Sequence, residues 1–216
     1  MNDQTVFFRR NLPHIQPEHS TFFITFRLAS SVPHETILRL KEEQALAEHS
    51  LRSTIEDTDK RVLAIAQQRK RYFGKFDSLL DGASYGNVWL KDSRIARIVS
   101  DALHYHDGKE YNLLCFCIMP NHVHLVFSVG EYSHQYKGKF GHLLSPILFS
   151  LKRFTAREGN KILCRNGSFW QHESYDHIVR DEWELHRIIN YVLENPVKAR
   201  LVKQWNEWKW SYVKTM

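Results

Sequence analysis

The run YNLLCFCIM, Tyr111 to Met119, is followed by Pro120-Asn121 and then by HVHLVFSV, His122 to Val129. Proline cannot donate to a strand ladder and asparagine suits a turn, so the two apolar runs are predicted to form a tight antiparallel hairpin. The first is apolar throughout and should be a central strand covered on both faces. In the second, residues two apart share a face, so His122 and His124 project together while Val123, Leu125 and Phe127 face the other way. A hairpin this oily must be covered by other elements.

Ahead of it, TFFITFRLA (Thr21 to Ala29) is rich in aromatic and β-branched residues and stops before SSVPHE, which predicts a strand. From His34 to Arg71 the chain is charged and nearly free of Gly and Pro. It carries Ile37, Leu38, Leu40, Leu46, Leu51, Ile55, Val62, Leu63 and Ile65 at helical spacing, so one long helix or two antiparallel ones are expected. RYFGKFDSLLDGASYGNVWL, with three glycines, reads as a loop-rich connector. KDSRIARIVSDALHYHDG is a helix opened by Asp92 and closed by Gly108, with Ile95, Ile98, Val99 and Leu103 on one face. Beyond the hairpin come a helix from about Ser145, a short strand in SYDHIVR, and a helix in DEWELHRIINYVLENP. That last helix has a capping box of Asp181 and Glu184 and stops at Pro196. The order βαββαβ implies an α+β fold, a ferredoxin-like sandwich with an antiparallel sheet, an extra C-terminal helix and a helical insert at about 34–75 after the first strand. The whole chain, 1–216, is read as one domain with a Trp-rich tail at about 201–216.

A chain of 216 residues is long enough for one substantial core. Hydrophobic residues at 43% and charged residues at 25% exclude a disordered chain. No apolar run approaches the ~20 residues that span a bilayer, and MNDQTVFFRRNLPH lacks a signal-peptide centre. A cytoplasmic protein without membrane contact is expected. Cys115, Cys117 and Cys164 form neither a disulfide framework nor a CxxC ligand pair, and the first two should pack as small apolar groups. A net charge of +6 suits a polyanionic partner.

Two imidazoles on one strand face can hold one cation. The same spacing in LHYHD does not, because His104 and His106 lie on a predicted helix, where two steps of about 100° send them to opposite sides. The plain alternative for His122 and His124 is a pair of sheet residues with satisfied hydrogen bonds. On the last helix, Leu185, Ile188, Ile189 and Val192 define the buried stripe. Tyr191 falls roughly 110° from its centre, at the edge of the core, with Arg187 and Asn195 four residues either side. A core-edge tyrosine with a satisfied hydroxyl is its plain reading. A phenol of pKa near 10 is a weak nucleophile and a phosphodiester a weak electrophile. A divalent ion on His122 and His124 would polarise a phosphate oxygen and orient phosphorus for attack by Tyr191. Asn195 is a candidate third ligand through its amide oxygen, although Pro196 biases it away from helical dihedrals. Imidazole ligation favours Mn²⁺ over Mg²⁺.

MPNHVHLVF, FWQHESYDHIVRDEWELHRIINYVLENPVKARLV and the ending WKWSYV together resemble the single-tyrosine HUH transposases, most closely the REP-associated tyrosine transposases. RRNLPHIQPEHSTFFITFRLASSVP resembles the longer members, so the resemblance runs from about Phe8 to Val213, interrupted by the helical segment near 34–75. It implies His122 and His124 as metal ligands for Mg²⁺ or Mn²⁺, Asn195 at the third-ligand position, and Tyr191 as the nucleophile that becomes joined to a 5′ phosphate. It implies cleavage and rejoining of single-stranded, hairpin-forming palindromic DNA without ATP, in DNA transposition or rearrangement. Arg200 stands where members often carry glycine, which bears on a local DNA contact.

Single-strand binders combine a basic track with aromatic platforms. Candidate DNA contacts are Arg9 and Arg10, Lys152, Arg153 and Arg157, Arg187, and Lys198, Arg200 and Lys203. Trp205, Trp208 and Trp210 either stack bases or pack as core, the second being the ordinary role. Arg69-Lys70-Arg71 reads as a solvated helix end. The protein is expected to act as a monomer, with a homodimer as the alternative. Two other functions compete: a non-catalytic DNA-binding regulator derived from a transposase, and a zinc hydrolase or deaminase. The deaminase signature of HxE with PCxxC is absent.

Overall fold

The computed structural model describes residues 20–82, 86–130 and 144–215. Five strands, β1 (Thr21–Leu28), β2 (Asn112–Ile118), β3 (His122–Ser128), β4 (Trp170–Val179) and β5 (Ser211–Val213), form one sheet in the order β4-β1-β3-β2-β5. Every neighbouring pair is antiparallel. The α+β class and the antiparallel sheet thus follow the expectation, and β5 adds an edge strand that it did not include. The helices are α1 (His34–Thr54), α2 (Thr58–Asp81), α3 (Ser93–His106), α4 (Leu144–Ile162), α5 (Glu182–Leu193) and a single turn α6 (Asn195–Lys198).

Strand alternation divides the interior into two layers. On one face, Phe22, Ile24, Phe26 and Leu28 of β1 and Val123, Leu125 and Phe127 of β3 pack against α3 and α4 through residues such as Val99, Leu103, Ile147 and Leu151. Tyr111 and Phe127 stack there at 4.6 Å, and both are fully buried. Each such side chain contributes about 1.5–3 kcal/mol. On the other face, Phe23, Cys115, Cys117 and Val126 pack against Ile188, Ile189, Val192 and Leu193 of α5.

The local signals at α3 act as read: Asp92 accepts from the Arg94 amide, and Gly108 takes φ +73 after the helix. Asp181 accepts from the Glu184 amide, but the Glu184 carboxylate accepts from Arg180 N rather than closing the box. The insert is two antiparallel helices, since Arg69 bonds Glu48 while Lys75 reaches back to Glu43. It does not end near residue 75. α2 continues through Gly74 to Asp81, because Phe73 stacks on Tyr175 at 3.9 Å and Leu80 is buried under the β2–β3 turn. Tertiary packing overrides the glycines. Much of the hairpin's apolar spacing faces water: Leu46 is 71% exposed and Val62 60%.

The strand expected in SYDHIVR is longer and begins at Trp170. α5 ends at Leu193, yet Pro196 does not turn the chain away: Asn195 opens α6 with proline in its first turn, where the missing N–H leaves no bond unmade. Asn195 therefore keeps close to helical spacing from Tyr191. The tail is half-buried against the core: Trp208 Nε1 donates to the Ile118 carbonyl at 3.0 Å, and Trp205 and Trp210 pack against the edges of the two layers. Cys115 and Cys117 are buried as small apolar groups. Among the described residues no helix is long and apolar enough to cross a membrane.

Candidate active site and metal centre

β3 sets His122 and His124 side by side on the α5 face, both fully buried, with their Nε2 atoms 3.0 Å apart. Each ring has its other nitrogen engaged. His124 Nδ1 meets the Thr25 hydroxyl at 2.7 Å, and Thr25 is its register partner on β1. His122 Nδ1 meets Asn121 Oδ1 at 2.7 Å, while the Asn121 amide nitrogen donates to the Leu80 carbonyl of α2 at 3.0 Å. That second bond fixes which way the amide faces, so His122 donates from Nδ1 and Nε2 keeps its lone pair. Burial drives the His122 pKa down to about 3. Burial, then His122 and Lys198, drives that of His124 well below its ordinary value. Both rings are neutral, the form in which an imidazole can act as a ligand. Two groups about 2.1 Å from one octahedral ion and at right angles stand about 3.0 Å apart. The observed spacing fits such an ion.

α2 brings the carboxylates that the sequence reading placed in a loop. Asp77 Oδ1 lies 3.5 Å from His124 Nε2, and Asp81 Oδ1 lies 3.9 Å from His122 Nε2. Ligand atoms of Asp77, His122 and His124 all fall within 4.8 Å of one another. Desolvation, then the neighbouring Asp81, raises the Asp77 pKa to about 8 against the opposing pull of Asn195 and Lys198. Desolvation raises Asp81 to about 6, with Lys198 opposing. Among the described residues, Oδ1 of both carboxylates is buried without a hydrogen bond. Orphaned oxygens beside neutral imidazoles fit a divalent cation, whose charge would favour the ionised carboxylates.

Tyr191 arrives from α5 as the helical wheel predicts. Its hydroxyl donates to Asp77 Oδ2, and its ring lies 5.6 Å from that of His124. Lys198 Nζ sits 4.5 Å over the phenol ring. Asn195 is fully buried beside Asp77, whose charged form it favours, and its amide makes no close, well-aligned hydrogen bond among the described residues. The fold therefore gathers His122, His124, Tyr191 and Asn195 and adds Asp77 and Asp81.

The candidate DNA contacts are scattered. Arg9 and Arg10 lie outside the described residues. Lys152, Arg153 and Arg157 are on α4, which covers the face opposite the histidines. Lys152 donates to Gln171 O, His172 O and Ser174 Oγ. Arg157 pairs with Glu158 at 2.7 Å, and Arg153 lies 6.0 Å from the Phe149 ring. Nearer the site, Arg187 lies over Trp183, an indole that is 70% exposed and absent from the sequence reading. Lys203 is exposed. Arg200 has φ +57, the left-handed conformation in which glycine is at ease. Arg69-Lys70-Arg71 is not simply solvated: Arg69 pairs with Glu48, and Lys70 reaches the buried Glu184 at 2.8 Å. His104 and His106 diverge as expected, one against Tyr212 and the other beside Glu110.

Thr25, Asn121, Asp77 and Asp81 were missed. The last pair did carry a signal, since an i, i+4 spacing puts two carboxylates on one helix face.

No family model matches the chain. It is 26% identical over 102 residues to a Haemophilus influenzae protein named "Putative REP-associated tyrosine transposase", a match covering 47% of this chain and 58% of that one. It is 22% identical over 103 residues to an Escherichia coli REP-associated tyrosine transposase, covering 48% and 54%. A solved REP-associated tyrosine transposase bound to a REP hairpin superposes with a TM-score of 0.48 at 14% identity, covering 89% of this chain and 75% of that one. The chain thus has homologues among the REP-associated tyrosine transposases over about half its length, and it spans little more than half of theirs.

Proposed function

We propose that the protein is a divalent-metal-dependent nicking and joining enzyme for single-stranded, hairpin-forming DNA, built on a ferredoxin-like βαββαβ core. The observation that carries this reading is the convergence of a phenol, two neutral imidazoles and a carboxylate at one buried point. The two curated relatives point to the same class.

His122, His124 and Asp77 would hold the ion, with the Asn195 amide oxygen available beside them, and Mn²⁺ or Mg²⁺ suits this mixed nitrogen and oxygen set. The ion supplies charge neutralisation of a nonbridging phosphate oxygen. Asn121 holds the His122 ring with its Nε2 lone pair toward the site, and the Thr25 hydroxyl positions the His124 ring so that its Nε2 would join as a ligand when Nδ1 donates to Thr25. Tyr191 is the nucleophile: its oxygen bonds phosphorus, the bond from phosphorus to the 3′ oxygen breaks, and its proton passes to Asp77. The departing 3′ oxygen takes up a proton to leave a hydroxyl. The 5′ phosphotyrosine retains the ester, so attack by a 3′ hydroxyl reverses the steps and joins strands.

The test is a denaturing gel of protein, Mn²⁺ and single-stranded hairpin oligonucleotides. An adduct surviving denaturation is expected, and Tyr191→Phe should abolish it while leaving hairpin binding intact. Hairpin binding with no adduct in any variant would favour the non-catalytic regulator instead.

A further inference from the structure

Strand β1 turns Phe23, Thr25 and Arg27 toward the site face, and the arginine is only 6% exposed. A guanidinium has five donors. Among the described residues this one makes a single hydrogen bond, Nη1 to Ser31 Oγ at 3.2 Å, and lies 5.5 Å from the Phe76 ring centroid. It has no carboxylate within ion-pair distance among them. Arg27 lines two cavities, where its remaining donors can meet an incoming acceptor.

Arg27 opens onto a cavity of about 120 Å³ between the helical hairpin and the sheet. The walls are aromatic: Tyr72 and Phe76 of α2 have ring planes 18° apart, and Tyr175 comes from β4. Lys41 and Glu173, paired at 3.3 Å, stand at the half-exposed rim. A second cavity, of about 220 Å³, lies on the other side of Arg27 beside His34 and Gly86. The register places this pocket next to the chemistry. Arg27 is the cross-strand partner of His122, and Thr25, which lines the pocket, holds His124. Adjacent strands are about 4.8 Å apart, within the reach of one nucleotide.

We propose that the cavity takes one unpaired nucleobase from the single strand flanking the cleaved phosphodiester, with its aromatic lining of Tyr72, Phe76 and Tyr175 as the stacking surface and Arg27 donating to its acceptor atoms. Flat aromatic walls accept any base face, while Arg27 and Lys41 complement a polyanion. The larger cavity across Arg27 leaves room for the sugar and phosphate. This inference rests on the DNA-cleaving reading, and it adds a subsite that the helical hairpin alone makes possible.

The test has two arms. In the first, Tyr191→Phe protein binds hairpins whose flanking nucleotides are replaced one at a time by an abasic residue. One position should lose about tenfold or more in affinity, as removal of a stacked base does. Ile37→Trp, which fills the pocket, and Tyr72→Leu should each weaken the intact hairpin by a similar factor and remove the discrimination at that position. In the second arm, dAMP, dGMP, dCMP and TMP are titrated singly while the Ile37 methyl signals are followed by NMR, and at least one should shift them. Equal small losses at every position, with adduct formation intact in the unaltered protein, would overturn the pocket and leave the nicking reading standing. Shifted Ile37 signals without hairpin binding or adduct would support the pocket and sink the nicking reading. No hairpin binding, no adduct and unmoved Ile37 signals together would overturn both.

Discussion

The two faces of the sheet are built from alternate residues of the same strands, yet they differ in kind. The face under α3 and α4 is closed with aliphatic and aromatic side chains. The face under α5 and the helical hairpin buries His122, His124, Asp77, Asn195, Thr25 and Arg27 among its apolar contacts. The first face can only stabilise. The second accumulates desolvated groups whose pKa values are displaced, a combination that is enriched at functional sites. One strand, β3, serves both: its odd residues Val123, Leu125 and Phe127 supply core and its even residues His122 and His124 face the polar cluster.

The contrast is broken most forcefully by truncation on the dry face. Phe127→Ala should lower unfolding free energy by about 3–5 kcal/mol in urea denaturation, with or without metal, because the ring is fully buried against Tyr111 and Phe22. On the polar face the sign should reverse. Asp77→Asn removes a carboxylate that burial holds near neutrality, so at about pH 8.5 the metal-free variant should melt higher than the parent. It should also forfeit the stabilisation Mn²⁺ gives the parent, about 2.7 kcal/mol at a hundredfold excess over Kd.

A pH series sharpens the same point. The folded Asp77 pKa, about 8, lies above its unfolded value, so the native state holds an extra proton between them and loses stability as pH rises. The displaced histidines act the other way, but only below about pH 6.5, where the unfolded chain protonates and the native rings do not. Asp81, raised to about 6, is mostly ionised by then, and the rest of its titration adds a smaller loss of the same sign. Metal-free protein should therefore lose melting temperature from about pH 6.5 to 8.5, and Asp77→Asn should flatten that slope. The smallest effect expected is at Arg200, where φ is +57: Arg200→Gly should gain about 0.5–1 kcal/mol in the same denaturation assay.

What could be read from the sequence was whatever a short period controls. Alternation over two residues placed His122 and His124 together and set Val123, Leu125 and Phe127 in the opposite core, and a helical wheel put Tyr191 at the core edge. The i, i+4 spacing of Asp77 and Asp81 goes unread because Gly74, Gly82 and Gly86 make RYFGKFDSLLDGASYGNVWL look like loop. What holds α2 helical there is a set of long-range contacts, Phe73 on Tyr175 and Asn121 on Leu80, that no local signal encodes. Thr25 was hidden for a related reason, since strand register decides which residue of β1 stands opposite His124. The basic residues of α4 looked like a track in sequence but sit across the sheet from the histidines.

Calorimetric titration of Mn²⁺ in buffers of different ionisation enthalpy bears most directly on the convergence of His122, His124 and Asp77. One ion per chain should bind at about pH 6.5 with release of about one proton, from Asp77 and not from the neutral imidazoles, and the release should fade toward pH 9. His122→Ala and Asp77→Asn should each abolish or greatly weaken that binding. No bound ion, or binding that survives both substitutions unchanged, would contradict it.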